Sequence, residues 1–402
     1  MLLGALALRA QPSDEPHLSI AERMFQHLLH NRADSLYAHM AEQVKPMVSP
    51  QQLDGAMAQT EAMAGRYLSH SAWGLREIMG RNAYVSTVRF ERSELAALVM
   101  LDQHGLMLGI QLLPLQMVHR QTRHDNAQSD NIYEVNDTIV SGNIRLPAII
   151  TRPAAHKGAL PIVVLVHGSG PNDMDETVGG CKPFRDLAQL LAQRGVATLR
   201  YDKRTRVYAR PVASLDEEVT DDALAAVALA KRYGERVFVL GHSLGGMLAP
   251  AMAHRDANIS GIVMLAAPAR DLTEVLREQI EHIIPQGASA EYKQQFYEHT
   301  VQTAPHNFTP LQQVETARAL RIPLLVLQGE RDYQVSMADF ELWRKALKKN
   351  KSAQLKSYPK LNHLFVEGEG TSTPMEYYNE GHVAPYVADD VARFVTKSPT
   401  QQ

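Results

Sequence analysis

Three regimes of hydrophobic patterning follow one another along the chain. From residue 18 to about 66, apolar positions recur at helical spacing: Ile20, Met24, Phe25, Leu28 and Leu29 share one face, and Ser49-Pro50 has the form of a second helix start. The period then shortens. Residues 84–90, 95–101 and 106–113 are short apolar or alternating runs, parted by the turn-like segments Glu91-Arg92-Ser93 and Asp102-Gln103-His104-Gly105. That is the pattern of an antiparallel meander. Helices followed by a meander predict a small α+β domain over residues 18–118, and the polar, aperiodic stretch 119–130 reads as a linker. His119 and His124 within it have no carboxylate or cysteine at metal-ligand spacing, so they read as solvated positions.

From residue 131 to 398 short apolar runs alternate with amphipathic stretches. Residues 161–166, 196–201, 237–241, 261–266 and 322–328 are nearly continuous in apolar side chains, as parallel strands covered on both faces must be. Between them Phe184, Leu187, Ala188 and Leu191 mark a helical face that Gly195 closes. The alternation predicts α/β architecture, a doubly wound and mostly parallel sheet. Residues 268–320 form a helical insertion ahead of the next strand, placed either as a lid over the site or as ordinary outer helices. There is no internal repeat and no low-complexity segment.

The strand Arg236-Val-Phe-Val-Leu240 runs straight into Gly241-His-Ser243-Leu-Gly-Gly246 and then into a helical pattern. A serine on such a strand-to-helix turn stands clear of the backbone, and small residues two before and two after it permit the tight approach, which makes Ser243 the candidate nucleophile. A second apolar strand ends in His167-Gly-Ser-Gly170. Its outward amides offer Ser169, or Gly170 as second choice, as an oxyanion-hole donor beside the amide of Leu244. His167 is expected to orient this loop rather than to transfer protons. The strand 322–328 ends in Gly329-Glu-Arg-Asp332, so Asp332 is the candidate acid; Glu330 sits immediately at the strand end and Asp339 in the following helix, as an exposed acid. Past a further strand, His363 in Pro359-Lys-Leu-Asn-His363 is the candidate base, with His382 as the alternative. The order Ser, Asp, His is the one this elbow requires. Every part of the machinery lies after residue 160, so the front domain is expected to supply no catalytic group.

These segments, together with Asp173, Asp175-Glu-Thr177, Lys182-Pro-Phe-Arg-Asp-Leu187, Arg200-Tyr-Asp-Lys-Arg204 and Leu361-Asn-His-Leu-Phe365, resemble bacterial α/β-hydrolases of the dienelactone-hydrolase-like and esterase group that carry an N-terminal domain of DUF3887 type. The resemblance covers nearly the whole chain, the front domain less specifically. It implies an NTF2-like fold for residues 18–115, a triad of Ser243, Asp332 and His363, and an exported acyl-ester hydrolase. The pattern departs at Gly179-Gly-Cys181, where an Asn-like residue is expected before Lys182-Pro183.

Composition narrows the partners. A net charge of −3 over 402 residues gives no field to gather nucleic acid or an anionic membrane surface, so a small-molecule ester is the expected partner. The single cysteine, Cys181, excludes an intrachain disulfide and a thiolate zinc site, and no cofactor is expected. Residues 1–17 open on the apolar run Met1–Ala10, read as the remnant of a secretory signal and so as a periplasmic or secreted location, with a cytoplasmic one as the alternative. No segment reaches the roughly 18 consecutive apolar residues of a membrane span. The expected chemistry is ester hydrolysis through an acyl-enzyme on Ser243. Its rivals are amide or peptide cleavage, acyl transfer by the same triad, and a non-catalytic binding protein on a hydrolase fold. The oligomeric state is not fixed by the sequence.

Overall fold

The computed structural model describes residues 15–42, 44–45, 53, 57, 60–61, 64–78, 81–114, 131–155, 160–208, 212–283, 290–303 and 311–397. The expected signal segment Met1–Ala10, the helix start at Ser49-Pro50 and the expected linker with its two histidines lie outside these residues. The chain divides into two compact units, residues 1–125 and 126–402.

The front unit opens with α1 (Glu15–Leu29) and α2 (Ala33–Ala38) and continues into five antiparallel strands. These are β1 (Tyr67–His70), β2 (Gly74–Ile78), β3 (Arg81–Phe90), β4 (Glu94–Leu101) and β5 (Met107–Pro114). The three longest form the expected meander, β3 to β4 to β5, while β1 and β2 share the outer edge of β3. The helical face Met24, Phe25 and Leu28 packs with Val88, Phe90, Val99 and Met107 of the sheet in one core cluster. Sequence pattern did not reveal β1 and β2, because both are short and their side chains are largely half-buried or exposed, with no clean alternation to read.

The rear unit is an eight-stranded sheet in the order β13-β12-β11-β10-β8-β9-β7-β6. Its strands are β6 (Ile132–Ser141), β7 (Ile144–Pro153), β8 (Pro161–Val166), β9 (Ala197–Tyr201), β10 (Arg236–His242), β11 (Ile259–Leu265), β12 (Leu324–Gly329) and β13 (Ala353–Tyr358). From β9 across to β13 all neighbours are parallel, and the β6–β7 hairpin adds an antiparallel edge. That hairpin was not among the runs legible as strands, since half of β6 faces solvent. In β8, β10 and β12 nearly every side chain is buried. Each fully buried Val or Leu there contributes about 1.5–3 kcal/mol before the entropy of ordering is subtracted.

Helices cover both faces, as expected of a doubly wound sheet. On one face lie α5 (Asp221–Ala230), α6 (Leu244–Arg255), α9 (Gln313–Ala319) and α10 (Met337–Leu347); on the other lie α3 (Pro183–Gln193) and α11 (Pro385–Lys397). The short α4 (Arg204–Tyr208) follows β9, and a π-helical turn, Asp216–Thr220, leads into α5. In the insertion, α7 (Leu272–Ile283) and α8 (Ala290–Thr303) precede α9. Among the described residues no helix is long and apolar enough to cross a membrane. The chain passes from β8 to β9 on one side and returns to β10 on the other, so β8 and β10 flank the point where strand order reverses. Open α/β sheets leave a crevice for ligands beyond the carboxyl ends of such strands.

Candidate active site

At the carboxyl end of β10 the backbone turns sharply at Ser243, with φ 52° and ψ −117°, before α6 begins at Leu244. L residues rarely adopt this conformation and hold it only where their surroundings enforce it. Here the Ser243 amide donates to the Leu265 carbonyl of β11 at 2.8 Å, and its carbonyl accepts from Met247 at 2.9 Å. The glycines on either side are obligatory: a Cβ at Gly241 would stand 2.2 Å from the Gly245 carbonyl oxygen, and one at Gly245 would stand 2.3 Å from that of Val166.

The loop after β8 comes against this turn, since a Cβ at Gly168 would lie 3.1 Å from the Ser243 Cβ. Gly168 is held at both polar groups: its amide donates to Glu176 Oε1 at 2.7 Å and its carbonyl accepts from Lys203 Nζ at 2.9 Å. The Asn172 side chain donates to the Ser169 carbonyl at 3.1 Å. Among the described residues neither the Ser169 amide nor the Leu244 amide has a protein acceptor; the latter is the first of α6 and precedes the helical ladder. His167 is buried, donates from Nε2 to the Asp173 carbonyl at 3.0 Å, and packs against Phe184 and Tyr201. Burial lowers its pKa to about 4, which favours the neutral ring.

Asp332, beyond β12, has four hydrogen-bond donors on its carboxylate. Oδ1 accepts from the amides of Gln334 and Val335 at 2.8 and 3.0 Å, and Oδ2 accepts from Gln328 Nε2 at 3.0 Å and from His363 Nδ1 at 2.7 Å. With Nδ1 engaged as the donor, His363 presents Nε2, which has no partner among the described residues. The competing acids are otherwise employed. Glu330 is exposed and accepts from Ser357 Oγ at 2.7 Å, whereas Asp339 is fully buried, not exposed as expected, and anchors the Ala269 and Arg270 amides and the Arg270 guanidinium. His382 has 66% of its side chain exposed and faces Asp186 at 3.3 Å, away from Asp332.

Sequence reasoning missed the group that ties His363 to the elbow. His242, one residue before Ser243, places Nε2 2.9 Å from the His363 carbonyl and its ring 4.7 Å from the His363 ring. Its Nδ1 lies 3.0 Å from Glu176 Oε2, an ion-pair contact too bent for a linear hydrogen bond. Burial alone would lower the His242 pKa, but the adjacent Glu176 carboxylate outweighs it and the net shift is upward. Burial would likewise raise the Glu176 carboxyl, and the His242 charge holds it below its ordinary value instead. Both residues were visible only as letters in motifs, in the variable position of the elbow and in Asp175-Glu-Thr177; no spacing rule links positions 66 apart.

Helix α7 lies along the loops at this edge. Gln279 Nε2 donates to the Gln334 carbonyl at 2.9 Å, and the His282 ring stacks on Tyr333 with 4.6 Å between centroids. A cavity of about 580 Å³ opens between α7 and these loops, lined by Glu278, Glu281, His282, Glu330, Asp332 and Tyr333 among others. It lies on the acid's side and is not lined by Ser243 or His363.

With this geometry in place, similarity to known proteins carries weight. A model of the alpha/beta hydrolase family matches residues 163–380. The chain is 35% identical over 392 residues to esterase EstD of Thermotoga maritima, covering 92% of this chain and 93% of that protein. Among solved structures, Est1E from Butyrivibrio proteoclasticus is 18% identical, with a TM-score of 0.44 over 65% of this chain and 98% of that one. The Pyrococcus furiosus esterase Pf2001 is 17% identical, with a TM-score of 0.46 over 66% and 91%. By the family match and the whole-length relative, the chain belongs to the α/β-hydrolase family and to its carboxylesterase-type enzymes.

Proposed function

We propose that the protein hydrolyses small-molecule carboxylic esters through an acyl-enzyme on Ser243, with His363 as general base and Asp332 as its orienting acid. The observation that carries this reading is the Asp332–His363 hydrogen bond of 2.7 Å, delivered by His242 to the side of a strained serine turn. The Ser243 hydroxyl attacks the ester carbonyl as its proton passes to His363 Nε2. Asp332 keeps the opposite nitrogen protonated and stabilises the imidazolium that forms. The oxyanion of the tetrahedral intermediate accepts from the Leu244 and Ser169 amides. Collapse expels the alcohol, which takes the proton from His363; a water then gives its proton to His363, attacks the acyl group, and releases the acid and the serine. In this reading α7 caps the acid side of the site and the front unit contributes no reacting group.

The test is labelling with a fluorophosphonate probe, peptide mapping of the adduct, and turnover of p-nitrophenyl esters. Label on Ser243, lost together with turnover in Ser243→Ala, is the expected result. Label elsewhere, or near-normal turnover by Ser243→Ala, overturns the proposal.

A further inference from the structure

We infer that Lys203 is a positioning residue for this reaction, holding the Gly168 carbonyl so that the Ser169 amide is aimed at the oxyanion. The inference rests on the reading of Ser243 and Ser169 just given. The Gly168 carbonyl and the Ser169 N–H belong to one planar trans peptide and point in opposite directions, so fixing one fixes the other. Lys203 Nζ donates to that carbonyl at 2.9 Å and to Glu218 Oε1 at 2.5 Å. The preceding peptide is fixed independently by the Gly168 amide on Glu176 at 2.7 Å. Glycine offers no side chain to resist rotation, so at this position hydrogen bonds must supply the restraint. Because this loop already stands within side-chain contact of Ser243, a modest swing of the peptide would turn the Ser169 amide away from the serine.

The placement of the ion pair points the same way. Lys203 is 2% exposed and Glu218 not at all. Burying such a pair is expensive, and apolar residues of similar volume usually stabilise a core as well or better, so stability is a poor reason for its presence. Glu218 reaches inward from the π-helical turn Asp216–Thr220, a widened turn of a kind found often beside functional sites. Burial draws the Lys203 pKa down while the Glu218 carboxylate opposes the loss of its charge.

The test is the full-length double variant Lys203→Met/Glu218→Leu, which replaces the pair by apolar side chains. Three quantities are measured: kcat and KM on p-nitrophenyl acetate, the Ki of a trifluoromethyl ketone that forms a tetrahedral oxyanion, and fluorophosphonate labelling. Removing an oxyanion donor outright lowers kcat by about 10²–10³-fold, so a mis-aimed one is expected to lower it by about 10–10²-fold. The ketone Ki should rise by the same factor, KM should stay within about threefold, and Ser243 should still be labelled, more slowly. A folded double variant with unchanged kcat and Ki overturns the inference, as does a fall in kcat with no change in Ki. Should the double variant not fold, Glu218→Gln preserves shape and is expected to lose several-fold in kcat with a matching rise in Ki; unchanged values there overturn the inference equally. Failure of the Ser243 reading shows separately, as no label on Ser243 in the unaltered protein.

Discussion

Two buried acid–histidine pairs sit side by side at the edge of the sheet, Asp332–His363 and Glu176–His242, with the two imidazoles 4.7 Å apart. Their composition is nearly the same and their wiring is opposite. His242 has a carboxylate beside one nitrogen and the His363 carbonyl at the other, both of which only accept, so both ring nitrogens already face a partner. His363 is engaged at Nδ1 alone. Burial and an acidic partner therefore do not mark a base; a nitrogen left open does. The closed pair instead joins the loop bearing His363 and the loop bearing Gly168 to the serine turn.

The comparison is broken most directly at the open pair. His363→Ala and Asp332→Asn are each expected to lower kcat by about 10⁴-fold, because triad members act as a unit and an asparagine favours the wrong tautomer; pre-steady-state and steady-state ester kinetics measure it. A folded His363→Ala with substantial turnover would move the base elsewhere.

At the closed pair the damage should fall on stability first. His242→Gln leaves the Glu176 carboxylate buried without its counter-charge and is expected to cost about 3–5 kcal/mol in denaturant unfolding, with kcat reduced about tenfold or less. Adding Glu176→Gln should restore most of the lost stability, and a double variant no better than the single would show that the two side chains are not coupled.

A smaller effect appears on changing pH. The Glu176 carboxyl is held below its ordinary value of 4.5, so its share of stability is present above that value and lost as the pH falls through the folded pKa. The His242 pKa is raised above 6.5, so its share is complete below that value and lost as the pH rises through the folded pKa. The stability difference between the unaltered protein and Glu176→Gln/His242→Gln should be largest from about pH 4.5 to 6.5 and shrink on both sides; a flat difference across pH 4–9 would refute the ion pair. The smallest expected change is at the acid–histidine contact of the alternative base candidate. His382→Ala removes an exposed imidazole and leaves Asp186, which is buried, its Val383 amide, so turnover should stay within about twofold and stability within about 1 kcal/mol.

How much of this was legible depended on how local the signal is. Strands buried on both faces announce themselves as apolar runs, so β8, β10 and β12 and the residues at their ends, Ser169, Ser243 and Asp332, could be placed from sequence. The meander of the front unit was legible from its short apolar or alternating runs, while β1, β2 and β6 were not, because their side chains are largely half-buried or exposed and give no clean contrast. Asp339 was misread as an exposed helical acid: periodicity gives its helix, and only tertiary packing brings Arg270 to it. Lys203, Glu218 and Glu176 look like surface charges in a one-dimensional reading, and their burial depends on partners 15 to 35 residues away or more.

The turn at Ser243 also bears on how the protein loses activity. Its left-handed backbone is pinned by Leu265 of β11 and by the packing of Gly245 against the end of β8, so the reactive conformation exists only while three neighbouring strands are in register. A helix or loop elsewhere can fray without disturbing it. With Ser243 as the proposed nucleophile, catalysis becomes a reporter of sheet cooperativity: during heating, turnover should persist through any loosening of the periphery and vanish in step with the collapse of the central strands.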